Sequence, residues 1–111
     1  MNACQLVVYI PCDHTEAVKR ALFAAGAGDY GNYDSCAWQV SGTGQFRPLA
    51  GADPFIGRPG EIEKVAEDRV EMLCQNDRLP AIIAALREAH PYEVPAFHII
   101  PLLDPDQFDG A

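Results

Sequence analysis

The first third of the chain carries the pattern of a strand followed by a helix. Residues 5–11 are rich in β-branched and aromatic side chains and end at a proline, which is typical of a strand. Asp13 is a candidate N-cap with Glu16 three residues later, and apolar residues then recur at helical spacing. Gly26 marks the end of this first predicted helix.

A second strand and a long loop are predicted next. Residues 35–41 alternate between larger apolar and smaller or polar side chains, with Trp38 on the apolar side, so we expect a strand with Trp38 buried. Residues 42–60 contain five glycines and three prolines. Such a composition suits neither a helix nor a strand, and we predict a loop.

The second half repeats the order of the first. Residues 61–75 are predicted as a strand, and Asp77 is a candidate N-cap for a second helix that ends near Ala89. Pro80 falls in the first turn of this helix, where its missing N–H costs little. Residues 94–102 give the last strand.

A constant offset of 64 residues relates the two halves. The matched positions are Leu6 and Val70, Asp13 and Asp77, Val18 and Ile82, Ala21 and Ala85, Leu22 and Leu86, and Ala25 and Ala89. Two interleaved strand–helix–strand units give βαββαβ with an antiparallel sheet of order 4-1-3-2. We therefore predict an α+β, ferredoxin-like sandwich. The expected single domain covers residues 1–111, with a core over 5–102 and a flexible acidic tail over 103–111.

Both faces of the predicted sheet carry large apolar residues. In the first strand Leu6, Val8 and Ile10 point to one side while Val7 and Tyr9 point to the other. The helices cover one face only, so the other face would remain exposed in a monomer. A contiguous exposed apolar patch marks an interface, and we expect an oligomer packed through its sheets.

Composition and charge narrow the choice of partners. The 111 residues are 49% hydrophobic and 22% charged, which is typical of a globular protein. Sixteen acidic against eight basic side chains give a net charge of −8, which repels nucleic acid and anionic lipid. No apolar run has the length of a signal-peptide core or a membrane span, so we expect a cytoplasmic protein. The four cysteines lack a C-x-x-C pair, and we expect reduced, mostly buried thiols.

The predicted topology places candidate chemistry at one edge of the sheet. The ends of the first two strands, the start of the third and the end of the second helix meet there, so Cys12, His14, the 42–60 loop and the segment HPYEVPA converge. His90, Tyr92 and Glu93 have a structural interpretation as a helix end. In the alternative interpretation four side chains bind zinc or copper. These are Cys12, His14, His90 and Glu93.

The loop offers a second kind of site. Arg47 and Arg58 are its two basic residues, and a guanidinium pair among glycines can hold a carboxylate or phosphate. Alternatively, both arginines pair with nearby acidic residues and stiffen the loop. Phe46 and Tyr92 complete the ligand-binding candidates of this edge. No pattern of a catalytic serine is present, and we assign no catalytic residue.

Two stretches resemble a known family. HPYEVPA is similar to the motif that closes the second helix of the CutA divalent-cation-tolerance proteins. The stretch GNYDSCAWQVSGTGQFRPLAGADPFIGRPGEIEKVAEDRVEM resembles the PII/CutA-like domain inserted in the Nif-three-like (YqfO-type) family. The resemblance covers roughly residues 6–100, and its most specific parts are residues 42–48 and 57–61.

The resemblance implies a ferredoxin-like fold, a trimer whose sheets face one another, and a loop beside a cleft between subunits. Full-length family members carry a two-metal site in flanking halves that this sequence does not include. We therefore expect neither that metal site nor a cyclohydrolase activity here, but the insert domain on its own.

The leading functional expectation is a non-enzymatic binding or regulatory module. It would form a homotrimer and bind a small molecule or a protein at the loop-bearing edge. The first alternative is a zinc- or copper-binding protein of the CutA type. The second alternative is a small hydrolase that uses Cys12 or a bound metal.

Overall fold

A computed structural model describes residues 2–110. Its main elements are β1 (Ala3–Pro11), α1 (Thr15–Ala24), β2 (Trp38–Phe46), β3 (Glu63–Gln75), α2 (Leu79–Ala89) and β4 (Phe97–Pro101). Short 3₁₀ turns cover Cys12–His14, Asn76–Arg78 and Pro105–Phe108. The order of elements is the βαββαβ order that the sequence predicts.

The four strands form one antiparallel sheet. Their order is β2-β3-β1-β4, which is the predicted order 4-1-3-2 read in reverse. The two long central strands pair over nine residues, from Ala3 opposite Gln75 to Pro11 opposite Glu67. β2 and β4 flank them as edge strands. The predicted ferredoxin-like α+β fold is confirmed.

The core lies between the sheet and the two helices. Alternate residues of the central strands face the helices and are buried, as are Val18 and Leu22 of α1 and Ile82 and Leu86 of α2. The strand members of this core are Cys4, Leu6, Val8, Ile10, Val70, Met72 and Cys74. Each large apolar side chain that is fully buried contributes about 1.5–3 kcal/mol, so this layer holds the helices in place.

The 64-residue repeat is present in the structure. The turn Cys12–His14 has its counterpart at Asn76–Arg78, and α1 begins at Thr15 while α2 begins at Leu79, each 64 residues later. Both helices therefore leave a central strand through the same short turn.

That turn makes the predicted N-caps wrong. Asp13 and Asp77 lie inside the 3₁₀ turns, and the N-cap positions are His14 and Arg78, neither of which makes a side-chain capping hydrogen bond. Each strand leads directly into the turn, which shifts the helix start past the aspartate. The placement of Pro80 in the first turn of α2 is confirmed.

The second strand is displaced from its predicted position. It runs over Trp38–Phe46 rather than 35–41, so the glycine-rich residues 42–46 belong to the strand and the loop covers 47–62. Gly42 and Gly44 are tolerated because β2 is an edge strand that pairs with β3 alone. The prediction that Trp38 is buried is wrong for the single chain, since it is 59% exposed. β4 is also shorter than predicted, Phe97–Pro101 instead of 94–102.

The sheet has an open face opposite the helices. By strand alternation and register, Val7 and Tyr9 lie on this face with Trp38, Val40 and Ile100. Trp38, Val40 and Ile100 are exposed. The open face therefore exposes apolar side chains in one chain, interspersed with polar residues that share the register, namely Gln5, Arg69, Glu71 and His98.

The cysteines and the helix lengths complete the description. All four cysteines are free thiols, but only Cys4 and Cys74 are buried, so the expectation of burial is wrong for the exposed Cys12. Within residues 2–110, neither helix has the length and the apolar run needed to cross a lipid bilayer.

Candidate functional site

A cavity of about 250 Å³ lies where the sheet edge meets the 47–62 loop. Four segments line it, namely the β2 end with the start of the loop, the middle of the loop, Glu67 of β3, and HPYEVPA. Its chemically distinctive lining residues are Phe46, Arg47, Phe55, Glu67, Tyr92 and Glu93. The predicted convergence of the loop and HPYEVPA at one edge is thus present.

Aromatic rings form the wall of this cavity. Tyr92 is at the centre, with its ring centroid 5.8 Å from that of Phe46 and 6.4 Å from that of Phe55. The other side of Phe55 contacts His14 edge-on, with the centroids 5.4 Å apart. Such edge-to-face contacts are favourable beyond the area they bury, so the rings fix the loop against the end of the sheet.

Backbone hydrogen bonds hold the loop in place. Oε1 of Glu93 accepts a hydrogen bond from the backbone N–H of Asp53 at 2.9 Å. Across the base of the loop, the carbonyl of Pro48 accepts from the N–H of Gly60 at 2.7 Å. Arg58 forms an ion pair with Glu61 at 3.6 Å, and it does not line the cavity in the described part of the chain. The ligand role of Arg58 therefore stays a prediction.

His90 is a buried anchor of the HPYEVPA segment. Its Nε2 lies 2.7 Å from the carbonyl oxygen of Tyr9, and its Nδ1 lies 3.1 Å from the backbone N–H of Tyr92. A carbonyl only accepts and a backbone N–H only donates, so Nε2 carries the proton and Nδ1 is the acceptor. Burial lowers the pKa of His90, which keeps the ring neutral. Both nitrogens are therefore committed to the fold.

Tyr92 and Glu67 form the polar part of the cavity. The Tyr92 hydroxyl is buried and makes no hydrogen bond of standard geometry within residues 2–110. Burial, followed by the negative charge of Glu67, raises the pKa of Tyr92 to about 12. The Glu67 carboxylate occupies the space that a side chain at position 44 would fill, because a Cβ on Gly44 would overlap it. Gly44 thus positions Glu67 at this cavity.

Charges of both signs face the cavity without neutralising each other. Arg47 is exposed and has neither an ion pair nor a hydrogen bond among the described residues. Glu67 and Glu93 also line the cavity, and no ion pair joins either of them to Arg47 within residues 2–110. A ligand that enters this cavity meets one cation and two carboxylates.

A second polar cluster lies at the start of α1. The buried carboxylate of Asp68 accepts hydrogen bonds from Thr15 Oγ1 at 2.7 Å, Ser41 Oγ at 2.6 Å and Cys12 Sγ at 3.6 Å. The hydrogen bonds from Ser41 and Thr15 lower the pKa of Asp68. The cluster joins β2, β3 and α1.

The four predicted metal ligands do not come together as a ligand set. His90 has no free nitrogen, Glu93 binds the loop backbone, and Cys12 donates to Asp68. Within residues 2–110, no group of three or more histidine, cysteine or acidic side chains is arranged to hold a metal ion. Desolvation and then the charge of Asp68 raise the pKa of Cys12, which disfavours the thiolate that metal binding or nucleophilic attack requires.

Three of the predicted ligand-binding residues, Phe46, Arg47 and Tyr92, line the cavity, and their ligand role stays a prediction. Sequence reasoning missed Glu67, which also lines the cavity, and Asp68 of the second cluster. The signal for Asp68 is present in the sequence, because Asp68 follows the helix-facing period of Val70, Met72 and Cys74. A carboxylate at a core position indicates a buried hydrogen-bond network.

No protein-family model matches the chain. The chain is 50% identical to the GTP cyclohydrolase 1 type 2 homolog of Mycobacterium leprae over 99 aligned residues. The aligned stretch is 89% of this chain and 26% of that protein. The homolog of the same name from Bacillus subtilis is 45% identical over 98 residues, again covering 26% of its length. The chain therefore spans about a quarter of the length of the curated relatives it matches.

The comparison with solved structures agrees with the sequence comparison. A Bacillus cereus protein related to NIF3 superposes with a TM-score of 0.80 and 37% identity, over 92% of this chain and 26% of that chain. The periplasmic divalent cation tolerance protein CutA from Archaeoglobus fulgidus superposes with a TM-score of 0.66 over 92% of this chain and 85% of its own. At 14% identity, the second likeness shows the fold alone. The predicted resemblance to the PII/CutA-like domain of NIF3-like proteins is confirmed.

Proposed function

We propose that this chain, which resembles the PII/CutA-like domain of NIF3-like proteins, is a non-enzymatic module that binds a small ligand. Its core spans residues 5–102, and the ligand enters the cavity between the sheet edge and the 47–62 loop. The observation that carries the proposal is the aromatic cavity itself, where Phe46, Phe55 and Tyr92 come from three separate segments. Concave, mostly apolar sites with a few polar groups are the usual form of a small-molecule site.

Ligand binding at this cavity can change the conformation of the 47–62 loop and so act as a regulatory signal. The loop contributes Phe55 to the wall and is held by the hydrogen bond from Asp53 to Glu93, so a ligand touches the residues that fix the loop. A ligand that prefers the closed loop shifts the population of loop conformations toward it. The loop surface then reports the presence of the ligand to a partner.

Self-association into a homotrimer is part of this proposal. Its support is the open face of the sheet, where Trp38, Val40 and Ile100 expose apolar side chains. Leaving these side chains in water forfeits the burial free energy of a packed interface. Packing of sheets against each other covers this face and leaves the loop-bearing edge accessible.

The alternatives receive less support. Divalent cations appear in the names of the CutA structures, but in this chain His90 is committed through both ring nitrogens. A hydrolase that uses Cys12 requires a lowered thiol pKa, and the surroundings of Cys12 raise it. The activity in the name of the curated relatives is not proposed for this chain.

A ligand screen with a matched pair of variants tests the proposal. Saturation-transfer NMR of a metabolite mixture with wild-type protein is expected to reveal binders whose signals vanish with Phe55→Ala. Phe55 is 55% exposed, so its truncation removes a cavity wall without opening the core. Tyr33→Ala is the control, because Tyr33 is exposed and lies outside the cavity. The absence of any binder, or equal binding to wild type and Phe55→Ala, contradicts the proposal.

A further inference from the structure

We infer that the cavity takes a zwitterionic amino acid with an apolar, preferably aromatic, side chain. This inference rests on the proposed ligand-binding function and names the class of ligand. It is carried by the size of the cavity, its aromatic wall and the opposite charges of Arg47, Glu67 and Glu93 that face it.

The size of the cavity sets an upper limit on the ligand. Pockets for drug-sized ligands have volumes of roughly 300–1,000 Å³, and this cavity of about 250 Å³ lies below that range. The cavity is half open to solvent, so a nucleotide or a coenzyme would project beyond it. An amino acid is of suitable size.

The apolar lining selects the side chain of the ligand. Phe46, Phe55 and Tyr92 present three rings, and Pro48 and Val94 add aliphatic surface. An aromatic ligand ring can pack edge-on against these rings, as they already pack against one another. A strongly polar side chain would be desolvated against this wall without hydrogen-bond partners.

The charges select the backbone of the ligand. The guanidinium of Arg47 can bind a carboxylate through two parallel hydrogen bonds, and it has no partner among the described residues. An ammonium group has three donors, which suit the Glu67 carboxylate and the oxygen of Glu93 that does not accept from Asp53. The buried Tyr92 hydroxyl lies beside the Glu67 carboxylate and completes the polar side of the cavity.

A ligand with a single charge fits this arrangement less well. A pure anion satisfies Arg47 but brings its charge toward Glu67 and Glu93, in a protein with a net charge of −8. A pure cation satisfies the two carboxylates but leaves Arg47 without a counter-charge at the same cavity. An α-amino acid matches both signs at once.

The test compares L-phenylalanine with its two single-charge analogues on the full chain. Isothermal titration calorimetry is expected to show binding of L-phenylalanine, with 3-phenylpropionate and 2-phenylethylamine at least tenfold weaker. Arg47→Gln is expected to remove the preference over 2-phenylethylamine, and Glu67→Gln the preference over 3-phenylpropionate. Arg20→Gln and Glu88→Gln are the matched controls, because both residues are exposed on helices away from the cavity, and they should bind as the wild type does.

The outcomes separate this inference from the proposed function. If either analogue binds as tightly as L-phenylalanine, the zwitterion assignment is wrong while the cavity remains a ligand site. If L-phenylalanine does not bind but the metabolite screen yields ligands sensitive to Phe55→Ala, the assignment is again wrong and the binding function stands. Binding of L-phenylalanine that neither Arg47→Gln nor Glu67→Gln weakens overturns the assignment as well.

Discussion

The two hydrogen bonds of His90 fix its imidazole in one neutral tautomer and tie the end of α2 to β1. Tyr9 accepts from Nε2, and the N–H of Tyr92 reaches Nδ1. The residue that the sequence offers as a metal ligand is thereby a structural anchor, and it places Tyr92 at the cavity. Protonation of Nδ1 would break the hydrogen bond from Tyr92.

This anchor makes stability depend on pH. The pKa of His90 is lowered from 6.5 in the folded protein, so below pH 6.5 the unfolded chain binds a proton that the folded chain does not. The free energy of unfolding is therefore expected to fall as the pH drops below 6.5, by at most about 1.4 kcal/mol per pH unit, and to level off below the folded pKa. Urea unfolding at pH 7.5, 6.5 and 5.5 measures this slope.

Replacement of the titrating ring isolates its contribution. His90→Gln is expected to be less stable at pH 7.5 but to lose most of the slope between pH 6.5 and 5.5. Arg20→Gln, a change at an exposed residue of α1 away from the open face, is the control and keeps the slope. An unchanged slope in His90→Gln contradicts the role assigned to His90.

Asp68 is expected to contribute more to stability than any surface carboxylate. Asp68→Ala removes the hydrogen bonds from Thr15 and Ser41 to a buried charge and leaves the Thr15 hydroxyl with the longer contact to the Pro11 carbonyl at 3.4 Å, at a cost of about 1.5–3 kcal/mol. Asp29→Ala breaks only the surface ion pair with Arg78 and should cost less than about 1 kcal/mol. Denaturant unfolding at pH 7 compares the two variants, and equal losses would contradict the structural role of Asp68.

The lowered pKa of Asp68 adds a second pH window. The stability that its ionised form contributes is present above pH 3.8 and is lost as the pH falls through the folded pKa, which lies below that value. This window lies below the one of His90, so the stability difference between the wild type and Asp68→Ala should persist from pH 7 down to pH 3.8 and shrink only at lower pH.

At the level of elements, Gly26 ends α1 in a Schellman motif. The N–H of Gly26 binds the carbonyl of Phe23, and the N–H of Ala27 binds that of Leu22, each at 3.0 Å. Gly26 has φ of 105°, and a Cβ there would lie 2.6 Å from Nη1 of Arg78. The backbone conformation requires glycine, whereas the half-exposed Arg78 side chain can move aside.

Gly26→Ala is expected to destabilise the protein by about 1–2 kcal/mol, because this is the free-energy cost of forcing a non-glycine residue into a positive-φ conformation. Gly42→Ala serves as the control, because Gly42 has open space at its Cβ and no positive φ. Thermal unfolding of both variants measures the difference. A Gly26→Ala protein as stable as the control would contradict the role of the motif.

The elements also show how much of the fold can be predicted from the sequence. Helical spacing and the 64-residue repeat predict both helices and the sheet order, because those signals reflect which side chains are buried. The end of β2 is misplaced because Gly42 and Gly44 weaken the local strand pattern, while their pairing with β3 is set by residues distant in sequence. The helix starts are misplaced because a capping pattern does not encode the 3₁₀ turn that precedes each helix.

The candidate site is predictable to the same degree. Topology brings HPYEVPA and the loop to one edge, which is why Phe46, Arg47 and Tyr92 are found from the sequence. The orientation of Glu67 depends on the missing side chain of Gly44, and the commitment of His90 depends on a carbonyl 81 residues away. Such contacts are set by packing and have no local sequence signal.

At the level of the whole molecule, the open face predicts an assembly. Native mass spectrometry of the wild type is expected to give three times the subunit mass of 12.1 kDa. Trp38→Glu replaces an exposed aromatic residue of the open face by a charge and should give the monomer mass. Tyr30→Glu alters an exposed aromatic residue outside the sheet strands and should leave the trimer intact. A monomeric wild type, or a Trp38→Glu trimer, contradicts the proposed assembly.

The repeat has a geometric consequence at the centre of the sheet. Val7 and Glu71 are 64 residues apart, and they are also direct partners in the pairing of β1 with β3. A residue that faces its own counterpart across an antiparallel pair marks the position of an internal pseudo-twofold axis. The chain is thus arranged as an isologous dimer of two half-length units joined covalently through the 47–62 loop, which is the architecture that duplication and fusion of a single ancestral βαβ gene would leave behind.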